Sequence, residues 1–250
     1  MHIITRTRLV EFGRLHEDAD SELREWVRVV RAKRYTRSDD VRRDFPSVDF
    51  VGLQQAVFNI RHNAHRLVVV FRFEFGRVFV RHVVTHSAYS RLIERGLLEG
   101  LRVDDPTLRR RFRATTTTTD MTALLDFSVP HVLRTEPEFE AAAREIDRLL
   151  DDEVPEGTQD WERLRFLSVL VEAYEEERLP LTVYLADCTP QSAVEFMLKQ
   201  HGLVRRDLEP LLGGKSRVSE FFAGVRSLSK SQIVALRQRF GIPADLLLAS

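Results

Sequence analysis

Cysteine, long apolar runs and internal repeats are nearly absent from this 250-residue chain. A single cysteine, Cys188, excludes a disulfide framework and any all-cysteine metal cluster built within the chain. No apolar run reaches the roughly 18 residues of a membrane-spanning helix, and the opening MHIITRTRL lacks the apolar core of a signal peptide. These absences predict a soluble cytoplasmic protein without a membrane partner. Apolar residues still make up 43% of the chain, which is enough to build hydrophobic cores.

The chain also lacks net charge, but this balance hides three blocks whose net charges alternate in sign. Residues 1–120 carry a net charge of +7, residues 121–188 carry −11 and residues 189–250 carry +4. A basic block suits a polyanionic partner, and an adjacent acidic block can compete for the same surface. Chance segregation of solvated surface charge is the alternative.

The first two blocks meet at five consecutive threonines, Thr115–Thr119, within the segment RRRFRATTTTTD. Branched side chains at Cβ disfavour a helix, and the run has no periodicity that would bury one face. Residues 114–122 are therefore predicted to be an extended linker. Met121, one of only three methionines, follows the threonines, as at the start of a second protein joined to a first. The sequence leaves open whether the joint is natural or engineered.

The first block predicts a small α+β domain. Apolar residues recur at helical spacing through residues 9–30, which indicates two helices. Three segments rich in Val and Phe follow, Ala56–Ile60, Leu67–Phe75 and Arg77–Val84, with Gly76 at a hairpin turn. We therefore expect two helices followed by an antiparallel sheet, in a domain of residues 1–113 whose core is residues 1–92.

Basic side chains collect on these strands without an acidic partner set. Six of the eight histidines lie in residues 1–86, among several arginines. Arginine binds phosphate through two hydrogen bonds, and a histidine that titrates near neutral pH can move protons. In RNA the 2′-hydroxyl supplies the nucleophile, so phosphodiester cleavage needs no metal ion. The pattern favours RNA chemistry, and neither a metal site nor a cofactor is predicted. For any single arginine, a solubilising role on the sheet is the alternative.

The segment FVGLQQAVFNIRHNAHRLVVVFRFEFGRVFVRHVVTHSAYSRL, with the opening MHII, resembles the HigB toxins. The VFNI element, the RLVV strand and the TH-x-x-Y ending carry the resemblance, which covers residues 1–92. It implies a RelE-like fold and cleavage of mRNA on the ribosome. It also implies catalytic roles for Arg66 and Arg81 at the scissile phosphate, for His86 in proton transfer, and for Tyr89 in base stacking or backbone contact. The RNA contacts that it implies are Asn59, Arg61 and His65.

The acidic block predicts two helices, Pro137–Leu150 and Trp161–Arg178, with apolar residues in step along each. The second helix ends in the strongly negative EAYEEE at residues 172–177. We expect residues 123–188 to mask the basic first domain, because complementary charge speeds and orients docking. A solvated acidic face is the alternative.

Residues 189–250 predict four or five short helices with glycine turns, a pattern typical of a helix-turn-helix domain. The string DLEPLLGGKSRVSEFFAGVRSLS resembles the Xre-type domain of the HigA antitoxins, and weaker HigA-like features extend through residues 137–188. The resemblance implies a recognition helix whose first residues reach base edges in the major groove. The DNA contacts that it implies are Lys215, Ser216, Arg217 and Ser219 at bases, with Arg226 and Lys230 at phosphates. A helical dimerisation module without DNA binding is the alternative.

Together these interpretations describe an α+β, RelE-like toxin domain followed by an all-α antitoxin in one chain. The expected partners are mRNA and the ribosome for the toxin half, and operator DNA for the antitoxin half, which is expected to form a homodimer and to repress transcription. The toxin–antitoxin contact is expected within one chain, or between two chains that exchange domains if the linker is too short. A DNA-binding regulator with a catalytically inactive, RNA- or ribosome-binding toxin-like domain is the alternative.

Overall fold

A computed structural model describes residues 1–51, 54–94 and 131–248 of the protein. The linker 114–122, Met121 and residues 95–113 lie outside this described part. Contacts divide the chain into two compact units, Met1–Val83 with Pro180–Ser250, and Val84–Leu179. They are called the first unit and the second unit below. Within the described ranges, no helix combines the length and apolarity needed to cross a membrane.

The first part of the first unit contains helices and five strands. The strands form one sheet in the order β1-β5-β4-β3-β2. The elements are β1 (His2–Ile4), α1 (Thr7–Leu15), α2 (Glu17–Arg31), α3 (Ser38–Asp44), β2 (Asp49–Val51), β3 (Gln55–Ile60), β4 (His65–Arg72) and β5 (Arg77–Thr85). The two helices and three main strands of the prediction are confirmed. The middle strand begins at His65 and ends at Arg72, earlier at both ends than predicted. It ends there because Phe73–Phe75 form a 3-10 turn that closes at Gly76 with φ of 69°.

The predicted antiparallel pairing is confirmed for β2, β3 and β4, but the sheet also contains a parallel strand, β1, that was not predicted. Residues 2–4 pair in parallel with residues 77–79 of β5, whereas β3 is antiparallel to both β2 and β4. A strand of three residues is too short to show alternation in the sequence. Tertiary packing fixes β1 instead: Ile3 and Ile4 are buried, and the N-terminal ammonium donates to the Val30 carbonyl at 3.3 Å. The short α3 and β2 have no counterpart in the prediction for the same reason.

Apolar residues of α2 and of the sheet form the core of this part. Trp26 and Val30 on α2 are fully buried, at the spacing that places side chains on one helix face. The Trp26 ring meets the Phe58 ring of β3 edge-on, with centroids 5.4 Å apart. Phe45 meets Phe58 in the same way at 5.1 Å. Burial of each such side chain contributes roughly 2–3 kcal/mol, so the core holds firmly the strand that precedes the basic turn described below.

The second unit contains the helices predicted in the acidic block, and both are confirmed. Its helices in the described part are α4 (His86–Glu94), α5 (Glu136–Asp151) and α6 (Gln159–Arg178). Phe139 of α5 stacks on Tyr174 of α6 with ring centroids 4.9 Å apart. The Tyr174 hydroxyl donates to Glu136 at 2.9 Å, and burial together with this bond raises the pKa of Tyr174 to about 12.

Short helices return the chain to the first unit. They are α7 (Leu181–Tyr184), α8 (Pro190–Gln200), α9 (Glu209–Leu212), α10 (Lys215–Phe222), α11 (Lys230–Phe240) and α12 (Ala244–Leu248), with a 3-10 turn at Arg205–Leu208. The predicted glycine turns are confirmed, since Gly213 and Gly241 have φ of 90° and 67°. Side-chain oxygens of Thr189 and Ser229 cap α8 and α11, as expected for these residue types.

Candidate nucleic-acid sites

The turn between β3 and β4 carries the first group of candidate residues. Arg61, His62 and Asn63 all have positive φ, at 53°, 48° and 79°. The Ala64 N–H donates to the Arg61 carbonyl oxygen at 2.9 Å and closes the turn. A left-handed backbone is unfavourable by about 1–2 kcal/mol for most residues other than glycine, so neighbouring groups must hold this conformation. The side chains of the turn are exposed.

Arg66 provides part of that support. Its Nη1 donates to the carbonyl oxygens of Asn63 at 3.0 Å and His65 at 3.3 Å. The strand register places Arg66 opposite Asn59, so two of the predicted site residues are brought together. Arg66 is only 8% exposed. Its guanidinium therefore stabilises the turn through hydrogen bonds to the backbone.

Arg81 lies on β5, the strand next to β4, and is 3% exposed. The backbone around it is held by other side chains. Arg8 Nη1 donates to the carbonyl oxygens of Val80 at 2.7 Å and Arg81 at 3.2 Å, and Thr5 Oγ1 donates to Val80 at 2.7 Å. Arg66 and Arg81 thus place two buried positive charges on neighbouring strands, an arrangement that suits an anionic ligand.

His65, the first residue of β4, lies beside a carboxylate. Its Nε2 is 3.3 Å from Asp18 Oδ2, and Arg61 Nε is 3.8 Å from the same oxygen. The hydrogen bond with His65 lowers the pKa of the Asp18 carboxyl group. His16 completes the cluster: one ligand atom each from His16, Asp18 and His65 lie within 4.8 Å of one another. Sequence reasoning missed this group, although the spacing of His16 and Asp18 was visible.

His86 and Tyr89 belong to the second unit, where they occupy the first two turns of α4 directly after β5. The Ala88 N–H donates to Thr85 Oγ1 at 3.3 Å, and Ser90 Oγ donates to the His86 carbonyl at 3.1 Å. The His86 side chain is exposed, and that of Tyr89 is half-buried. An exposed imidazole is accessible to a substrate.

Within the first unit, α8 reaches the residues around the turn between β3 and β4 through two polar side chains, Lys199 and Gln200. Glu22 of α2 accepts a hydrogen bond from the Arg61 N–H at 2.7 Å, and its other carboxylate oxygen lies 2.9 Å from Lys199 Nζ of α8. Gln200 Nε2 donates to the Asn59 carbonyl at 3.3 Å. Helix α8 therefore reaches Asn59 directly and reaches Arg61 through Glu22.

A second set of contacts joins α2 to the start of α8. Ser192 Oγ donates to the buried carboxylate of Glu25, and burial raises the pKa of Glu25. Arg28 Nη1 donates to the Thr189 carbonyl at 2.7 Å, and Nη2 donates to the Leu246 carbonyl at 2.9 Å. Glu25 and Arg28 of α2 thus form hydrogen bonds with the C-terminal helices.

The candidate DNA contacts lie on and after α10, and all six are exposed: Lys215, Ser216, Arg217, Ser219, Arg226 and Lys230. A cavity of about 750 Å³ beside α10 is lined in part by Lys215 and Ser219, and also by Arg205 and Arg206, which were not predicted. The Arg205 guanidinium lies 4.0 Å from the centroid of the Phe222 ring. In the sequence, the position of Arg205 and Arg206 as adjacent arginines directly before the DLEP string was the feature that could have indicated these two residues.

Two N-terminal helices on a five-stranded sheet, with arginines and histidines at one turn, define a small basic α+β domain. Comparison with known proteins identifies its kind. Residues 19–92 match the HigB_toxin family, the RelE-like toxic component of a toxin–antitoxin system. The mRNA interferase HigB of Escherichia coli O6:H1 (strain CFT073) is 26% identical over 94 residues, which are 37% of this chain and 91% of that protein. The resemblance to the HigB toxins is confirmed over residues 19–92, which form a RelE-like domain of that type.

Proposed function

We propose that this chain joins a toxin to its antitoxin: residues 1–113 are a ribosome-dependent mRNA endoribonuclease, and residues 123–250 neutralise it and bind operator DNA. The observation that carries the proposal is the contact of α8 with Asn59 and, through Glu22, with Arg61, on a domain that matches the HigB toxins. A C-terminal helix therefore contacts the backbone of Asn59 directly and that of Arg61 through Glu22, and both residues are expected to bind RNA.

In this proposal the RNA 2′-hydroxyl gives its proton to His86 as its oxygen attacks the adjacent phosphorus, and the bond from phosphorus to the 5′-oxygen breaks. The products are a 2′,3′-cyclic phosphate and a 5′-hydroxyl, to which His86 supplies the proton. Arg66 and Arg81 stabilise the negative charge that grows on the phosphate oxygens. Tyr89 stacks on a base, and Asn59, Arg61 and His65 position the strand.

Neutralisation in this proposal uses α8 in addition to the acidic region 123–188. Lys199 and Gln200 place hydrogen-bonding groups next to the turn at residues 61–64. Part of the acidic charge is already balanced within the second unit, where Glu145 lies 2.9 Å from both Arg148 and Arg163. A linker of about nine residues keeps the two halves at an effective concentration of about millimolar. Docking then occurs within one chain, or between two chains that exchange domains.

The DNA-binding part of the proposal is supported by the exposure of the first turn of α10. Lys215, Ser216 and Arg217 are accessible at the start of this helix, where recognition helices contact base edges. Arg226 and Lys230 follow on exposed positions suited to phosphates. A homodimer that binds a palindromic operator would repress transcription of its own gene.

The second candidate is a DNA-binding regulator whose toxin-like domain is catalytically inactive. The burial of Arg66 and Arg81 favours it, because Arg66 already donates to two backbone carbonyls. An arginine engaged in this way supports the fold, whether or not it also meets a phosphate.

To test the two candidates, three proteins are expressed under tight induction. They are the fragment of residues 1–113, its His86→Ala form and the full chain. Growth and the 5′ ends of translated mRNA are followed, and circular dichroism checks that the fragments fold. Arrest and mRNA cleavage by the intact fragment alone support the toxin–antitoxin proposal. A folded but harmless fragment supports the inactive regulator.

A further inference from the structure

The corner between α1 and α2 brings two residues of a potential metal site to the start of β4. His16 lies between the two helices, with a non-helical φ of −134° and ψ of 75°, and Asp18 lies in the first turn of α2. His65, the first residue of β4, lies much later in the sequence. One ligand atom from each residue lies within 4.8 Å of the others.

The ligand set is that of a divalent transition metal. Imidazole nitrogens bind Zn²⁺ at about 2.0–2.1 Å and carboxylate oxygens at about 2.0–2.2 Å, which puts the ligands of a tetrahedral ion about 3.4 Å apart. His65 Nε2 and Asp18 Oδ2 are already 3.3 Å apart. The remaining separations are at most 4.8 Å, so they need to shorten by no more than about 1.4 Å. A χ rotation supplies this change, because Asp18 is exposed and His16 is half-buried.

The surroundings orient both imidazole rings. Phe12 stacks on His16 with centroids 4.2 Å apart and meets the edge of His65 at 5.2 Å. His65 Nδ1 is buried without a hydrogen-bond partner among the described residues, so Nε2 is the nitrogen that faces a polar group. Arg61 Nε, 3.8 Å from Asp18, is the nearby cation that an ion would displace, and its side chain is about half exposed.

We propose that His16, Asp18 and His65 form a binding site for one divalent transition-metal ion of the Zn²⁺ class, with a fourth position open to water. The two histidines and one carboxylate favour Zn²⁺ or Co²⁺ over Mg²⁺ and Ca²⁺, which prefer oxygen ligands. A bound ion links the α1–α2 corner to β4 directly before Arg66. It also takes Asp18 from Arg61, so occupancy changes the charge presented at the turn of residues 61–64.

The full chain, stripped with a chelator, is titrated with Co²⁺ and with Zn²⁺. We expect one equivalent of Co²⁺ to produce the visible absorption of a four-coordinate site, and Zn²⁺ to displace it and raise Tm. Asp18→Asn and His16→Ala should each weaken binding by at least about 100-fold. Asp18→Asn keeps the shape of an exposed side chain, so the variant tests the ligand without disturbing the core.

Two control variants locate the ion. His62→Asn removes an exposed imidazole that lies outside the cluster, and Asn tolerates the left-handed backbone there. Cys188→Ser removes the lone thiol. Both should bind like the unaltered chain. The proposal is overturned if the unaltered chain gives no absorption, if Asp18→Asn and His16→Ala bind undiminished, or if either control loses the ion.

Discussion

The two candidate nucleic-acid sites differ in how their basic residues are held. On the sheet, Arg66 and Arg81 are 8% and 3% exposed, and Arg66 donates to two backbone carbonyls. On α10, Lys215 and Arg217 are exposed at the surface. Arg66 therefore supports the fold as well as any ligand, whereas Lys215 and Arg217 are available to a ligand alone.

This difference separates stability from binding. A buried charged donor removed from the sheet takes a hydrogen bond away from each carbonyl group that it serves, which destabilises the fold. An exposed side chain removed from α10 leaves only solvent behind.

Arg66→Ala should lower the free energy of unfolding by about 2–3 kcal/mol, because the Asn63 and His65 carbonyls lose a charged donor. Urea unfolding of the full chain measures this change. Arg61→Ala is the matched control, since Arg61 is exposed on the same turn and should change the free energy by less than about 0.5 kcal/mol. Equal losses for both variants would contradict the structural role of Arg66.

Lys199→Glu should destabilise by about 1–2 kcal/mol, because it places a second carboxylate beside the buried Glu22. If α8 neutralises the toxin, this variant of the full chain should also slow growth. The charge-swapped pair Glu22→Lys with Lys199→Glu should recover part of the stability. Recovery is partial because lysine cannot accept the Arg61 N–H.

Adding His86→Ala to Lys199→Glu separates the two readings of a growth defect. Growth should return if the defect comes from released RNase activity. A defect that persists in this double variant would assign it to misfolding.

Glu25→Gln should stabilise the chain increasingly as pH rises. Burial raises the pKa of folded Glu25 above its ordinary value of 4.5, so the protonated form favours folding and ionisation opposes it. The native carboxyl group therefore contributes its stability at low pH and loses it as pH rises through the folded pKa. Melting curves from pH 4 to 8 test this, with the exposed Glu11→Gln as the control. If the difference in Tm between Glu25→Gln and the unaltered chain narrows as pH rises, the prediction is contradicted.

Arg217→Ala should change the free energy of unfolding by less than about 0.5 kcal/mol but weaken DNA binding by about 1–3 kcal/mol. Fluorescence anisotropy with palindromic duplexes selected from a random library measures binding over a range of salt concentrations. Val234→Ala, an exposed position on α11, provides the control. If Arg217→Ala binds every duplex as the unaltered chain does, α10 is not the reading helix.

Several parts of the fold follow from local patterns. The strands that carry Phe58 and Arg66 were predictable because Val and Phe repeat there, and Gly76 marked a turn that needs positive φ. The left-handed turn at Arg61–Asn63 was not predictable, since none of its residues is glycine and its support comes from Glu22 and Arg66. The likeness to HigB located the basic residues, but it did not show that Arg66 is buried.

By itself, the sequence determined the main helices and strands, the blocks of charge and the toxin-like domain, because periodicity, glycine turns and helix caps act over a few residues. Only the tertiary structure decided the parallel pairing of β1, the meeting of His65 with Asp18 and the ion pair of Glu22 with Lys199. The residues of these last two pairs are 47 and 177 positions apart. Contacts over such separations depend on how whole elements pack, and no local pattern records that packing.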